Sequence, residues 1–333
     1  MAGQPVTLAC RNYDGTNALI RGQLRIPNID LQVKEVNDVP KMFAGMINGE
    51  YDVSEMSLGE LIYYISRGNA SFKAIPVFPS RIFRHGFLFV RRDSGIERPQ
   101  QLNGRKLGFL RWVQTAALWM RGMLIDEYGV SPQGSEWYVA SMHHWDDADP
   151  GATVEPRDGS VIRWMEAGGK TTADRACQSL FSGEVDALGV TENQLPAMLG
   201  NPNVKRLFEN PREVEVRYFR KTKILPIMHI LAVRNETAEK YPDLPEKLFR
   251  LFVDARRWAR EWRRVIPSLV EGWPNHYFAE EQEIFGCDPW AYGVEANRHV
   301  ITRFLGYCHD QGVSARKLAP EELFHPSTIR LSE

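Results

Sequence analysis

Residues 76–90 read P-V-F-P-S-R-I-F-R-H-G-F-L-F-V and crowd Arg81, Arg84 and His85 into five positions just before an apolar stretch. A guanidinium is a planar fork that matches a carboxylate, and an imidazole exchanges a proton near neutral pH. Together the three could hold an organic acid and do proton chemistry beside it. A solvated basic turn is the plain alternative. The neighbours Phe78, Ile82, Phe83 and Phe87 weigh against it, because guanidinium groups set among aromatic rings call for a partner.

Other candidates come from the elements that must carry them. In open α/β sheets ligands lie off the carboxyl ends of the strands. A strand at 6–10 therefore singles out Asn12, Tyr13 and Asp14, and one at 51–54 singles out Ser54, Glu55 and Ser57. Glu55, at a strand exit, could accept a phenolic proton. Thr115 opens an apolar helix, whose free N–H groups and dipole favour an anion, and Arg111 and Gln114 stand beside it. His143-His144-x-Asp146-Asp147 is a cluster of metal-like composition. Adjacent histidines project in different directions, so no metal site is assigned there. Neither G-x-G-x-x-G nor a P-loop occurs.

The composition bounds the answer. A chain of 333 residues exceeds the usual single core, so two domains are expected. Hydrophobic content of 43%, charged content of 25% and a net charge of -1 describe an ordinary globular protein with no general attraction for nucleic acid or anionic membrane. Cys10, Cys177, Cys287 and Cys308 are scattered, which suggests neither a zinc knuckle nor a disulfide framework and fits reduced thiols in a cytoplasm. The N-terminal stretch has no basic n-region, and no 18-residue apolar run occurs. A cytoplasmic protein without a membrane span is expected.

Short apolar runs alternate with helical periodicity. Strands are expected at 6–10, 30–36, 51–54, 72–77, 86–90, 106–110, 136–140, 185–190, 204–207 and 227–233. Helices are expected near 15–22, 38–48, 57–67, 115–128, 171–182, 191–199, 235–240, 244–265 and 294–311. This order predicts α/β architecture with largely parallel sheets. Two internal echoes refine it. Met46–Val53 and Leu180–Ala187 share a pattern in which a helix stops at Gly before Glu and a strand follows. His85-Gly-Phe-Leu-Phe-Val-Arg91 and His229-Ile-Leu-Ala-Val-Arg234 each set a His before an apolar strand ending in Val-Arg. If these are the two crossings between lobes, one lobe is built from 1–88 and 226–333, the other from 89–225, and both histidines stand at the mouth of a cleft. The arginines at 256, 257, 260, 263 and 264 read as a solvated helix face or a partner contact.

The strings F-P-S-R-I-F-R-H at 78–85, Y-D-V-S-E-M-S at 51–57, D-E-Y-G-V at 126–130, P-I-M-H at 226–229 and Y-G-V-E-A-N-R at 292–298 together resemble the 4,5-dihydroxyphthalate decarboxylase family, along nearly the whole chain. The resemblance implies a two-lobed type 2 periplasmic binding-protein-like fold with an interlobe cleft and two hinge crossings. It implies a cytoplasmic, non-oxidative decarboxylase of a hydroxylated aromatic acid, with 4,5-dihydroxyphthalate or a close analogue as substrate. Tyr292 is similar to a family position that reaches back to the cleft; core packing is its other reading.

In such a reaction a hydroxyl para to the departing carboxylate, once partly deprotonated, pushes electron density onto the ring carbon. Protonation there and loss of carbon dioxide follow. Glu55 or His229 is assigned to the phenol, His85 to ring protonation, and Arg81 and Arg84 to the carboxylates. Ser54, Ser57, Tyr13, Arg111, Gln114, Thr115 and Tyr292 complete the substrate contacts. No organic cofactor is expected, while assistance by a divalent ion and assembly into a homo-oligomer are left open. The expected partner is a small-molecule aromatic carboxylate. The alternative is a non-catalytic aromatic-carboxylate binding protein of transporter or sensor type.

Overall fold

A computed structural model describes residues 5–142, 154–265 and 273–333. The cluster at His143, His144, Asp146 and Asp147 lies outside these residues. The chain divides into two compact units, Met1–Arg81 with Ile227–Thr302 and Leu318–Glu333, and Ile82–Pro226 with Arg303–Lys317. Residues 82–88 and 303–317 thus group with the second unit, whereas the sequence placed them in the first lobe. The reason for the later segment is visible in its contacts. Trp119 stacks on Phe304 at 4.9 Å, and the Tyr307 hydroxyl donates to Asp126 Oδ2 at 2.6 Å.

The first unit opens with β1 (Val6–Cys10), α1 (Asp14–Ile20), β2 (Leu31–Glu35), α2 (Val39–Ile47), β3 (Val53–Ser57), α3 (Leu58–Arg67) and β4 (Phe72–Arg81). The second unit holds β5 (Leu88–Arg91), β6 (Lys106–Arg111), α4 (Thr115–Tyr128), β7 (Glu136–Ser141), β8 (Ile162–Trp164), α5 (Thr172–Ser182), β9 (Ala187–Gly189), α6 (Leu195–Gly200), β10 (Val204–Arg206) and α7 (Pro211–Thr222). The chain then adds β11 (Ile227–Arg234), α8 (Asn235–Lys240), α9 (Leu244–Val265), α10 (Pro274–Phe285) and α11 (Val294–Asp310). Local chemistry sets several of these ends. Asp38 accepts from Lys41 N at the start of α2, Thr171 accepts from Asp174 N at the start of α5, and α3 and α4 stop at Gly68 and Gly129 in the left-handed region.

The two sheets share a wiring plan. Their orders are β2-β1-β3-β11-β4 and β10-β5-β9-β6-β7-β8. Reading the second in reverse matches β6 to β1, β7 to β2, β9 to β3, β5 to β11 and β10 to β4. The matched strands β5 and β11 are the ones that run antiparallel to their neighbours, so the sheets are mixed rather than largely parallel. The two sequence echoes fall on matched elements. Gly49 and Gly183, both at φ +82°, follow α2 and α5, and a Cβ on either would collide with the arginine that ends the antiparallel strand, Arg234 or Arg91.

Three elements escaped the sequence reading. α7 reads E-V-E-V in the middle, a strand-like alternation, and its helix is launched by Pro211 in the first turn. α10 also starts on a proline, and β8 has only three residues.

Candidate functional site

Within the first unit the sheet itself builds a polar cluster. In the register of β11, His229 stands opposite Ser57 of β3 and Ser80 of β4, and Leu231 stands opposite Glu55. Because strand residues two apart share a face, Glu55 and His229 are diagonal neighbours. His229 Nδ1 lies 2.5 Å from Glu55 Oε1, the Tyr13 hydroxyl donates to the same oxygen at 2.7 Å, and Arg11 N donates to Oε2 at 3.1 Å. Tyr13 takes its place as the residue just before α1, where its own N–H donates to Thr16 Oγ1 at 2.8 Å.

Glu55 is fully buried, yet its carboxyl stays ionised. Burial raises its pKa, but hydrogen bonding and charge from His229, the Tyr13 hydroxyl and the Arg11 N–H outweigh that and leave it below the ordinary carboxylate value. The Tyr13 phenol is pushed up, first by burial and then by the neighbouring Glu55 charge. Nδ1 is the imidazole nitrogen that Glu55 holds; Nε2 is not engaged by that carboxylate. The side chain of His229 is 16% exposed, whereas that of Glu55 is 0% exposed. Glu55 is therefore placed to orient His229, and its burial does not suit the direct contact with a phenol that the sequence had allowed. Ser54, expected at the substrate, is interior and spends its hydroxyl hydrogen on the Glu55 carbonyl at 2.9 Å, surroundings that do not suit that role. Ser57 is buried beside His229 in the ladder.

Tyr13 also lines a cavity of about 760 Å³ in the same unit. Its walls include Asn12, Phe78, Phe278, Phe285, Trp290 and Tyr292, with Arg256, Arg260 and Asp288 among the charged groups. Such a volume is in the usual range for small-molecule sites. Tyr292 belongs both to the core and to this wall: it is 4% exposed, Arg256 sits 5.5 Å from its ring, and its backbone N–H donates to Glu333 Oε2. Burial pushes its phenol pKa up. Arg256, expected on a solvated face, is instead turned inward onto Asp288 and Glu333. The sequence reading gave Arg256, Arg260 and Asp288 no site role, because no local spacing ties α9 to the loop after α10.

Arg81 and Arg84 of the opening cluster each have protein partners of their own. Arg81 is buried at the end of β4, donates to the Ala291 carbonyl at 3.0 Å and packs 5.0 Å from the Phe78 ring. Burial pushes its pKa down to about 10, with Tyr292 and Asp288 pulling the other way. Arg84 belongs to the second unit, where it is ion-paired with Glu192 at 3.2 Å and packed against Phe87. Its guanidinium already has a carboxylate. His85, assigned to ring protonation, is 1% exposed and enclosed by Tyr128, Phe208 and Tyr218. It lies 3.9 Å from Glu215 Oε1, too far for a hydrogen bond. Burial pushes its pKa down to about 3, so at neutral pH the ring is uncharged and makes no ion pair. The proton-donor role does not fit these surroundings. Arg111 ends β6, and Gln114 and Thr115 stand at the start of α4, all in the second unit. Among the described residues no group of three or more His, Cys, Asp and Glu is placed to hold a metal ion.

The enclosed His85 has a measurable consequence. The unfolded chain takes up a proton there as pH falls below the ordinary 6.5, the folded protein only near 3, so stability is lost on acidification across that window. Glu215 works in the opposite sense, since burial lifts its carboxyl to about 7 from the ordinary 4.5 and folding gains as pH falls through that range. In a Glu215→Gln background, His85→Phe is therefore expected to remove on the order of 2–3 kcal/mol of acid sensitivity between pH 6.5 and 4. Urea midpoints against pH give the answer, and an unchanged pH slope would contradict it.

Comparison with known proteins places the chain. A family model described as "ABC transporter, phosphonate, periplasmic substrate-binding protein" matches residues 10–268. A 4,5-dihydroxyphthalate decarboxylase of Comamonas testosteroni is 32% identical over 99% of this chain and 98% of its own length. The periplasmic aliphatic sulphonate binding protein SsuA of Escherichia coli shares the fold at a TM-score of 0.57 and 14% identity, over 97% of both chains. The desulfurization enzyme DSZB shares it at a TM-score of 0.51 and 16% identity, also over 97% of both chains. The chain belongs to the phosphonate-type periplasmic substrate-binding protein family and to the 4,5-dihydroxyphthalate decarboxylase family.

Proposed function

We propose that the protein is a non-oxidative decarboxylase of a hydroxylated aromatic acid, 4,5-dihydroxyphthalate or a close analogue. The observation that carries the reading is the buried Glu55 carboxylate holding His229 and Tyr13, with Tyr13 in the wall of an aromatic-lined cavity. The full-length match to a 4,5-dihydroxyphthalate decarboxylase supports the substrate class. His229 Nε2 takes the proton of the hydroxyl para to the departing carboxylate, and the Glu55 charge stabilises the imidazolium that forms. The phenolate directs electron density to the ring carbon, which takes a proton from water. The bond to the carboxylate then breaks, carbon dioxide leaves, and the imidazolium returns its proton to the phenolate.

The reaction consumes one proton per carbon dioxide released and changes no oxidation state that needs an outside oxidant. Lowering a phenol pKa from about 10 toward neutrality takes roughly 1.4 kcal/mol per unit. A buried carboxylate–imidazole pair is a suitable source of that stabilisation. The reading includes action in the cytoplasm, supported by four free cysteines and checked by cell fractionation.

A second reading is favoured by the description of the matching family as substrate-binding proteins: the same cavity holds an aromatic carboxylate without chemistry. Incubation with a panel of hydroxybenzoates and hydroxyphthalates separates the two. The decarboxylase reading expects carbon dioxide and a dihydroxybenzoate from 4,5-dihydroxyphthalate. Saturable binding of the panel with no carbon dioxide from any member would overturn it in favour of the second.

A further inference from the structure

Two arginines of α9, Arg256 and Arg260, are four residues apart, so they project from one face of the helix, and both line the cavity. They differ in what they still offer. Arg256 is nine-tenths buried, with Nη1 on Asp288 Oδ2 at 2.7 Å and Nη2 on Glu333 Oε1. Arg260 has 43% of its side chain exposed and donates through Nη1 to the same Asp288 oxygen at 2.5 Å. Among the described residues its Nε and Nη2 make no hydrogen bond. That is the edge of a guanidinium that matches both oxygens of a carboxylate. Asp288 is shared between two cations, so it does not satisfy Arg260 alone. The remaining surface, with Phe78, Phe278, Phe285 and Trp290, suits the faces of a ring.

We infer that Arg260 is the specificity-determining cation of this cavity, its free edge receiving a ring carboxylate that the reaction leaves in place. The cavity accordingly prefers aromatic dicarboxylates to monocarboxylates. The preference rests on the decarboxylase reading only for which carboxylate is kept; recognition of the anion by Arg260 does not.

Calorimetric titration of the full chain with phthalate and with benzoate tests this, since neither carries the hydroxyl needed for turnover. The wild type is expected to bind phthalate at least about tenfold more tightly than benzoate. Arg260→Gln should weaken phthalate by about tenfold or more and benzoate by less than about threefold, with Arg260→Lys intermediate because a lysine supplies charge without the fork. Arg257, one residue from the cavity wall with a side chain 60% exposed, provides the charge control, and Arg257→Gln should bind as wild type. Unchanged phthalate affinity in Arg260→Gln, or an equal loss in Arg257→Gln, overturns the inference. Carbon dioxide release measured alongside distinguishes the two readings. If no hydroxyphthalate is decarboxylated by the wild type but Arg260→Gln still loses phthalate, the decarboxylase reading falls and the inference stands. If Arg260→Gln decarboxylates with wild-type kcat/KM, the inference falls and the decarboxylase reading stands.

Discussion

Glu55→Gln is expected to lower turnover on the order of 10²–10⁴-fold, the scale of losing the carboxylate that orients and charges a catalytic imidazole. Three donors converge on this side chain, His229 Nδ1 and the Tyr13 hydroxyl on one oxygen and Arg11 N on the other. Glutamine keeps the shape but replaces one oxygen with an NH₂ group, so at least one of these contacts becomes donor against donor or forces the imidazole into its other tautomer. The charge that stabilises a protonated His229 is lost as well. A stability cost of about 1–3 kcal/mol accompanies the change. Carbon dioxide release gives kcat and thermal unfolding gives the stability term. A kcat within threefold of wild type would remove Glu55 from the mechanism.

The largest stability effect is expected in the second unit, at Arg121. Its guanidinium is 1% exposed on α4, with Nε on Gln311 Oε1 at 2.7 Å, Nη2 on the Trp112 carbonyl at 2.6 Å and its carbon 3.8 Å from the Trp112 ring. Burial pushes its pKa down to about 9, with only partial relief from Asp158 and Cys308. Gln311 is also bound by Trp112, whose indole N–H donates to the Gln311 carbonyl at 2.9 Å, so Arg121 stitches the end of α11 to the loop that leads into α4. Arg121→Ala removes the stitch, leaves a void and strands two acceptors, and should destabilise the second unit by about 2–5 kcal/mol. Arg121→Met refills much of the volume without a buried charge and should lose clearly less. Urea unfolding followed by tryptophan fluorescence checks both. Equal losses in the two variants would mean that packing volume is not what Arg121 supplies.

Much of the architecture was legible because it depends on local pattern. The short apolar runs at 6–10, 106–110 and 227–233 became β1, β6 and β11, and the helix-stopping glycines of the first echo, Gly49 and Gly183, follow helices that precede matched strands of the two sheets. Pairing direction was not legible, since an apolar stretch such as His229–Arg234 looks the same in a parallel or an antiparallel ladder. The site was legible in part. Strand-exit reasoning named Tyr13 and Glu55, and the second echo named His229, which the ladder brings together. It did not extend to Arg81, Arg84 and His85, where residue type suggested an anion clamp beside a proton donor but burial and distant protein partners decided otherwise. Arg84 had found Glu192 across more than a hundred positions of sequence, and His85 had found an aromatic enclosure drawn from α4, α7 and the segment between β10 and α7. Partners so distant leave no mark in the local spacing. The same holds for Asp288, which draws Arg256 and Arg260 out of what reads as a solvated basic face.

The central claim, that His229 held by Glu55 exchanges the proton that drives decarboxylation, is tested most directly by carbon dioxide release from carboxyl-labelled 4,5-dihydroxyphthalate at saturation, in wild type and in His229→Gln. The predicted result is a fall of about a hundredfold or more in the variant, with substrate affinity within about tenfold, or 1.4 kcal/mol, of wild type. Release from His229→Gln at a rate near that of wild type would contradict the account.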